Sequence, residues 1–172
     1  MVESIRALIR EIPDYPKPGV LFYDITPVLG DGPAFSDLLR RMVDPHRDAG
    51  ITKVAGIEAR GFTLAAPIAR MLGAGFIPVR KPGKLPYDTN RRTYDLEYGT
   101  DALEVHVDAA GPDDRVLLVD DVIATGGTAA AAAALLGELG SDVVGLSVFI
   151  ELTFLNGRDR LGDLPLHALL EY

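Results

Sequence analysis

The sequence predicts a single α/β domain with a central, mainly parallel sheet flanked by helices. Three observations carry that reading. From residue 53 to residue 150, short apolar runs of strand length alternate with segments of helical periodicity. Val116, Leu117, Leu118 and Val119 form an unbroken apolar run, the pattern of a strand covered on both faces. The chain has 172 residues, 48% of them hydrophobic, which fits one domain of ordinary size with a core.

The elements follow in order. Val2, Ile5, Leu8, Ile9 and Ile12 recur at helical spacing, and Pro13 ends that helix. Positions 13–33 are rich in Pro and Gly and are expected to be mostly irregular. Phe35, Leu38, Leu39, Met42 and Val43 define an amphipathic helix that starts at Asp31-Gly-Pro33, because Pro is tolerated in a first turn. Residues 53–57 read as a short buried strand. Leu64, Ile68, Met71 and Leu72 give a helix stopped by Gly73. Residues 76–79 form another strand, which Pro78 places at an edge. Positions 81–94 have no periodicity and contain Pro82, Gly83 and Pro86. A loop this long in a compact domain is usually functional, so a flexible lid is expected over about 81–95. Leu103, Val105 and Val107 alternate with polar residues, as in a half-exposed strand. Residues 115–120 are the buried strand. The segment 128–139 is a helix ended by Gly140, and its alanines at 129–134 favour helix while letting it approach the sheet closely. Residues 142–150 are a further strand, and Leu164, Leu166, Leu169 and Leu170 mark a buried C-terminal segment.

Composition removes several function classes. With no cysteine, a disulfide framework, a thiolate nucleophile, an iron–sulfur cluster and a Cys-ligated zinc are excluded. The longest apolar run, 129–136, falls well below the ~20 residues of a membrane span. Glu3 stands where a signal peptide carries basic residues, so a cytoplasmic protein with no membrane partner is expected. A net charge of −8 opposes nucleic-acid binding. Against that acidic background Arg80, Lys81, Lys84, Arg91 and Arg92 cluster, opposed only by Asp88, which suggests a small anion held at one place. His46, His106 and His167 show no ligand spacing and read as structural or surface residues.

The segment with most chemistry is Val116-Leu-Leu-Val-Asp120-Asp121-Val-Ile-Ala124-Thr125-Gly126-Gly127-Thr128. A buried strand delivers two adjacent carboxylates to the carboxyl edge of the sheet, where open α/β folds bind ligands. The glycines then let backbone N–H groups converge at the positive end of a helix, with the Thr125 and Thr128 hydroxyls as further donors, which makes a phosphate cradle. Carboxylates beside such a cradle would repel a bare phosphate but can meet the hydroxyls of an attached sugar. The arrangement asks for a ribose 5-phosphate. A G-x-x-x-x-G-K-[ST] loop is absent, and Gly73-Ala-Gly75 lacks the third glycine of a dinucleotide fingerprint.

This segment resembles the phosphoribosyl-diphosphate (PRPP) motif of the type I phosphoribosyltransferases. Four further stretches resemble the adenine-using branch of that family, in the family's order over nearly the whole chain. They are Pro16-Lys-Pro-Gly-Val-Leu21-Phe22-Tyr23-Asp24-Ile-Thr-Pro, Glu58-Ala-Arg60-Gly-Phe62, Val79-Arg80-Lys81-Pro-Gly-Lys84-Leu-Pro86 and Tyr94-Asp-Leu-Glu97-Tyr98-Gly. The resemblance implies the type I phosphoribosyltransferase fold with a small N-terminal hood over about residues 1–33. It also implies the reaction of adenine with PRPP to give AMP and diphosphate, supported by Mg²⁺ held mainly by the diphosphate and water, with no direct protein ligand. Asp120, Asp121 and residues 124–128 (Ala124, Thr125, Gly126, Gly127, Thr128) would hold the ribose and its phosphate. Arg60, with Arg80, Lys81 and Lys84, would hold the diphosphate, one of the basic residues acting across a homodimer interface. Phe22 would stack on the purine, with backbone groups at Leu21 and Tyr23 reading its edge; Tyr23 stands where the family often has a basic residue. Glu97 would handle the proton of the attacking base, and Tyr98 would close over the centre. Arg91 and Arg92 have no family counterpart and read as solvated loop charges. Two other readings remain open: a non-catalytic sensor of PRPP or a nucleotide, and an enzyme using guanine, hypoxanthine or xanthine.

Overall fold

The structure, a computed structural model, describes residues 2–95 and 99–172. The chain divides into two compact units, Met1–Arg41 and Met42–Tyr172. The first contains α1 (Val2–Arg6), β1 (Arg10–Pro13), β2 (Leu21–Asp24), α2 (Thr26–Gly30) and α3 (Gly32–Val43), the last of which runs into the second unit. β1 and β2 pair antiparallel with Ile12 opposite Phe22. The N-terminal helix therefore stops at Arg6, well before Ile12, and residues 13–33 are more ordered than their Pro and Gly content suggests. A ladder to a partner strand outweighs local periodicity at Arg10–Pro13, an ordinary case of tertiary context overriding a weak propensity. The Asp24 carboxylate ties the pieces together, accepting bonds from the Thr26 amide and hydroxyl (both 2.9 Å) and from Arg10 Nη1 (2.9 Å). At α3 the start is as expected: Asp31 Oδ1 accepts the Ala34 amide at 2.9 Å, capping the helix, with Pro33 in its first turn.

The second unit continues with β3 (Lys53–Ile57), α4 (Arg60–Leu72), β4 (Gly75–Val79), β5 (Thr89–Asp95), β6 (Thr100–His106), β7 (Arg115–Ile123), α5 (Gly127–Gly137), β8 (Asp142–Glu151) and β9 (Leu166–Glu171). Five strands form a parallel sheet in the order β4-β3-β7-β8-β9. Pro78 lies on the edge strand β4, where its missing N–H breaks no ladder. α4 packs on β3, β4 and β7. Along β3 and β7, Ala55, Ile57, Val116 and Leu118 join Ala132, Leu135 and Leu136 of α5 in one buried cluster.

α5 also contacts β5 and β6. It thus lies between the sheet and the β5–β6 hairpin, which explains a helix that is apolar all round and built from the smallest good helix former. The hairpin itself departs from the sequence reading. Residues 89–95 form a strand in full antiparallel register with β6, from Thr89 opposite His106 to Asp95 opposite Thr100, rather than a loop without structure. Thr89-Asn-Arg-Arg-Thr has no apolar alternation, so only the partner strand reveals it. Reciprocal backbone bonds between Arg80 and Glu104 (2.9 and 2.7 Å) join β6 to the chain leaving β4. β6 is also less exposed than its alternation implies: Leu103, Glu104 and Val105 are all buried, and Glu104 Oε2 accepts the Gly83 amide at 2.9 Å.

The C-terminal residues add β9 to the sheet edge, with Leu170 buried and Leu166 and Leu169 partly so. His46 and His167 meet edge to face at 5.9 Å, and burial lowers the pKa of both, which keeps them neutral. Among the described residues no helix is long and apolar enough to cross a membrane.

A close seam between α4 and the sheet lies at Gly56, where an added Cβ would stand 2.6 Å from Ala65 Cβ. Gly56→Ala should therefore destabilise the protein by ~1–3 kcal/mol through overpacking. Urea unfolding of the purified variant checks this, and an unchanged midpoint would refute the packing account.

Candidate active site

The order of the sheet says where a ligand belongs. From β3 the chain builds outward to β4, then returns to place β7 on the other side of β3. A crevice opens at the carboxyl ends of the strands where such a reversal occurs. A cleft of about 470 Å³ lies there, lined by residues 57–60 after β3, residues 120–129 from β7 into α5, and Lys81. Both α4 and α5 begin at this cleft, and neither has a side-chain cap, Ala59 and Gly126 occupying the N-cap positions. Their first-turn N–H groups lack helical acceptors, so each contributes donors and partial positive charge.

Asp120 and Asp121 form one wall. Asp121 is buried and pairs with Arg60 Nε at 2.6 Å. No ion pair of Asp120 is found among the described residues, and its Oδ1 accepts the Asp121 amide at 2.9 Å. Burial, and then the neighbouring Asp121 charge, push the Asp120 carboxyl well above the usual carboxylate range. Gly61 makes this wall possible: a Cβ there would stand 2.8 Å from Asp120 Oδ1 and 3.1 Å from Val119 O.

The Thr125–Thr128 turn is equally confined. Gly126 has φ of +79°, a left-handed conformation that disfavours side chains, and a Cβ on it would stand 2.2 Å from Gly157 O. Gly157 comes from the 3₁₀ turn Gly157–Arg160 after β8, whose backbone lies directly against the turn.

Cations approach from the third side. Glu58 accepts Arg80 Nε at 3.2 Å, Arg80 Nη2 at 3.0 Å and the Lys81 amide at 3.0 Å; the Arg80 bonds, then the amide, hold its carboxyl below the ordinary value. The Glu58–Ala59 peptide is cis. Lys81 Nζ donates to Asp101 and to Tyr94 Oη at 3.2 Å, and the Tyr94 hydroxyl in turn accepts Thr128 Oγ1 at 3.4 Å. Burial alone would lower the Lys81 pKa, but the bonds to Asp101 and Tyr94 outweigh it and raise it.

Similarity to other proteins matches this geometry. The phosphoribosyl transferase domain family matches residues 29–161. An adenine phosphoribosyltransferase of Anaeromyxobacter dehalogenans is 54% identical over the whole of both chains. The crystal structure of adenine phosphoribosyltransferase from Thermoanaerobacter pseudethanolicus superposes with a TM-score of 0.98 at 47% identity, each chain fully covered. That from Saccharomyces cerevisiae, complexed with adenine and an imino-altritol bisphosphate, gives 0.93 at 35% identity, covering 98% of each chain. The chain belongs to the adenine phosphoribosyltransferase family.

Within that family frame, the expected site residues sort into groups. Arg60, Lys81, Asp120, Asp121 and residues 124–128 line the one cleft. Arg80 and Lys84 are not among the described residues that line it. The Arg80 guanidinium binds Glu58 and the Lys84 carbonyl (3.2 Å) and lies 5.9 Å over the Phe62 ring, and Lys84 is exposed. Arg92 lies on strand β5 rather than in a loop and is exposed, paired with Glu138 at the C-cap of α5. Leu21, Phe22 and Tyr23 are on β2 of the first unit, Phe22 half-buried with Tyr15 packed edge-on at 5.1 Å. Glu97 and Tyr98 lie outside the described residues. Sequence reasoning missed Glu58, Asp101 and Gly157. Glu58 had a legible signal in its place beside Arg60 in a quoted motif, whereas Asp101 and Gly157 have value only through partners distant in sequence.

A raised Asp120 pKa has a sign. Below the ordinary carboxylate pKa of about 4, Asp120 is protonated both folded and unfolded. As pH rises above that, the unfolded chain ionises first, and the native state progressively loses stability relative to it. Asp120→Asn, which mimics the protonated acid, should therefore have a higher Tm than the parent at pH 8 and an equal Tm near pH 3.5. Thermal unfolding at the two pH values checks this, and equal Tm at both would contradict the shift.

Proposed function

We propose that the protein transfers the 5-phosphoribosyl group of PRPP to adenine, giving AMP and diphosphate in purine salvage, with Mg²⁺ and in the cytoplasm. One observation supports this most directly: a paired acid wall and an uncapped Thr125-Gly126-Gly127-Thr128 turn share one cleft with Arg60 and Lys81. The yeast relative, which binds adenine beside a bisphosphate of an imino sugar, fits the same pairing of ligands.

In this reading the amides of residues 124–128 and the threonine hydroxyls receive the 5-phosphate, where the α5 dipole favours negative charge. Asp120 and Asp121 receive the ribose diol, with Arg60 fixing Asp121. Arg60 and Lys81 face the diphosphate. Lys84 assists from the same loop and Arg80 supports it by holding Glu58, with one of the loop's basic residues acting across a homodimer interface. Phe22 stacks on adenine, a contact that gives ~1–3 kcal/mol without selecting a base. The selection falls to backbone groups at Leu21 and Tyr23. As N9 attacks C1′ and diphosphate departs, positive charge builds on the sugar, and the acid wall favours it electrostatically. Glu97 takes and returns the proton of the base, and Tyr98 and the 81–95 segment shield the centre from water.

The donor set fits a metal that arrives with its substrate. Asp121 is already held by Arg60 and the acid pair is assigned to the ribose, so Mg²⁺ would be held mainly by the diphosphate and water, with no direct protein ligand. When bound there, Mg²⁺ supplies charge neutralisation for the leaving diphosphate.

Incubation with Mg²⁺, PRPP and each purine base in turn should yield nucleotide and diphosphate with adenine alone. Turnover with a 6-oxopurine would reassign the base, and PRPP binding without turnover would make the protein a sensor. Glu97→Gln should lower kcat by roughly 10²-fold or more while PRPP affinity stays within about twofold. Steady-state kinetics read both, and equal loss of affinity and turnover would remove the proton role.

A further inference from the structure

We infer that Arg158 is a positioning residue for the phosphate turn, acting through Glu151 and the backbone of Gly157. The turn does not hold its own shape: Gly126, the N-cap of α5, is left-handed, and no side chain supplies that cap among the described residues. It is confined instead by backbone. A Cβ on Gly157 would stand 2.4 Å from Ala124 O, 2.9 Å from Ile123 Cγ1 and 3.1 Å from the Gly126 amide nitrogen. Both partners at this contact are glycine, so neither tolerates a side chain, and a shift of one displaces the other.

What locates Gly157 is a clamp built from the carboxyl end of the sheet. Glu151, the last residue of β8, is buried, and its two carboxylate oxygens accept Arg158 Nε at 2.6 Å and Arg158 Nη2. A two-pronged guanidinium–carboxylate pair fixes direction as well as distance. Arg158 also stands 3.8 Å from Glu171 of β9. The same segment is tied at its other end, where the Thr153 amide and hydroxyl donate to Tyr172 O (2.9 and 2.7 Å), the Tyr172 amide donates to Glu151 O (3.0 Å), and the Leu152 amide donates to Ile123 O (3.0 Å). Residues 152–158 are thus strung between β7, β8 and β9, and present the Gly157 backbone to the turn. Gly157 and Arg158 are not among the described residues lining the cleft, so their effect on a ligand passes through residues 124–126.

The inference rests on the reading that residues 124–128 hold a pentose 5-phosphate. Removing the guanidinium leaves Glu151 a buried charge without its partner, and the segment relaxes away from the turn. Arg158→Ala in the full-length protein should raise the Kd for ribose 5-phosphate, by calorimetry, and the KM for PRPP about tenfold. KM for adenine and kcat at saturating PRPP should stay within twofold. Arg158→Lys, which keeps a charge over Glu151 but loses the fork, should give a smaller rise in the same two constants and serves if the alanine variant does not fold. Parallel increases in both KM values, or a fall in kcat with ribose 5-phosphate affinity unchanged, would overturn the positioning role. If the parent protein binds ribose 5-phosphate but makes no AMP, the transfer reading fails and the Kd comparison still decides the role of Arg158.

Discussion

Two helices open on one cleft without a side chain to satisfy their first-turn amides, and the rest of the second unit is arranged around that fact. An uncapped helix start forgoes roughly 0.5–2 kcal/mol of the stabilisation that a Ser, Thr, Asp or Asn cap supplies. Here Ala59 and Gly126 hold the N-cap positions, and the residues that open both helices line the cleft. A fold that leaves such donors open at the carboxyl edge of a parallel sheet has a ready place for an anion. α3, in contrast, is capped by Asp31.

The electrostatics on the opposite wall run the other way. Asp120 and Asp121 are adjacent in sequence and close in space, yet their surroundings separate them. Arg60 at 2.6 Å compensates Asp121, while Asp120 is left with burial and a like-charged neighbour. Asp120 is thus the less favourably placed of the two carboxylates. Lys81 and Arg80, neighbours in the chain, also diverge. Lys81 enters the cleft with its charge secured by Asp101 and Tyr94, and Arg80 turns to lock Glu58 and the chain after β4.

Close backbone packing converts these local choices into a stable site. Gly56 against Ala65, Gly61 against Asp120 and Gly126 against Gly157 are three places where even a methyl group would force the structure to shift. Each lies at or near the junction of β3 and β7 with the elements that follow them. Interiors this tight transmit displacement rather than absorb it. Segments outside the cleft, such as the C-terminal β9 and its link to Thr153, are thereby tied to the chain that packs against the 124–128 turn.

Much of this was legible from residue order alone. The unbroken apolar run at 116–119, the acids after it and the Thr-Gly-Gly-Thr turn determined a buried strand, the turn at its end and the helix that follows, because each signal is local. Periodicity likewise located β3, α4, β8 and the cap of α3. Tertiary structure alone decided the rest. β1, β2 and the polar strand β5 exist because a partner strand supplies their hydrogen bonds, which no pattern within four to seven residues encodes. Lys81 and Arg80 carry the same charge and stand side by side, so only the positions of Asp101 and Glu58 assign one to the cleft and the other to the scaffold. Gly157 reads as an ordinary loop glycine until the fold sets its carbonyl against Gly126. Contacts made across large sequence separation depend on how the whole chain closes, and that closure is a property of the packed sheet.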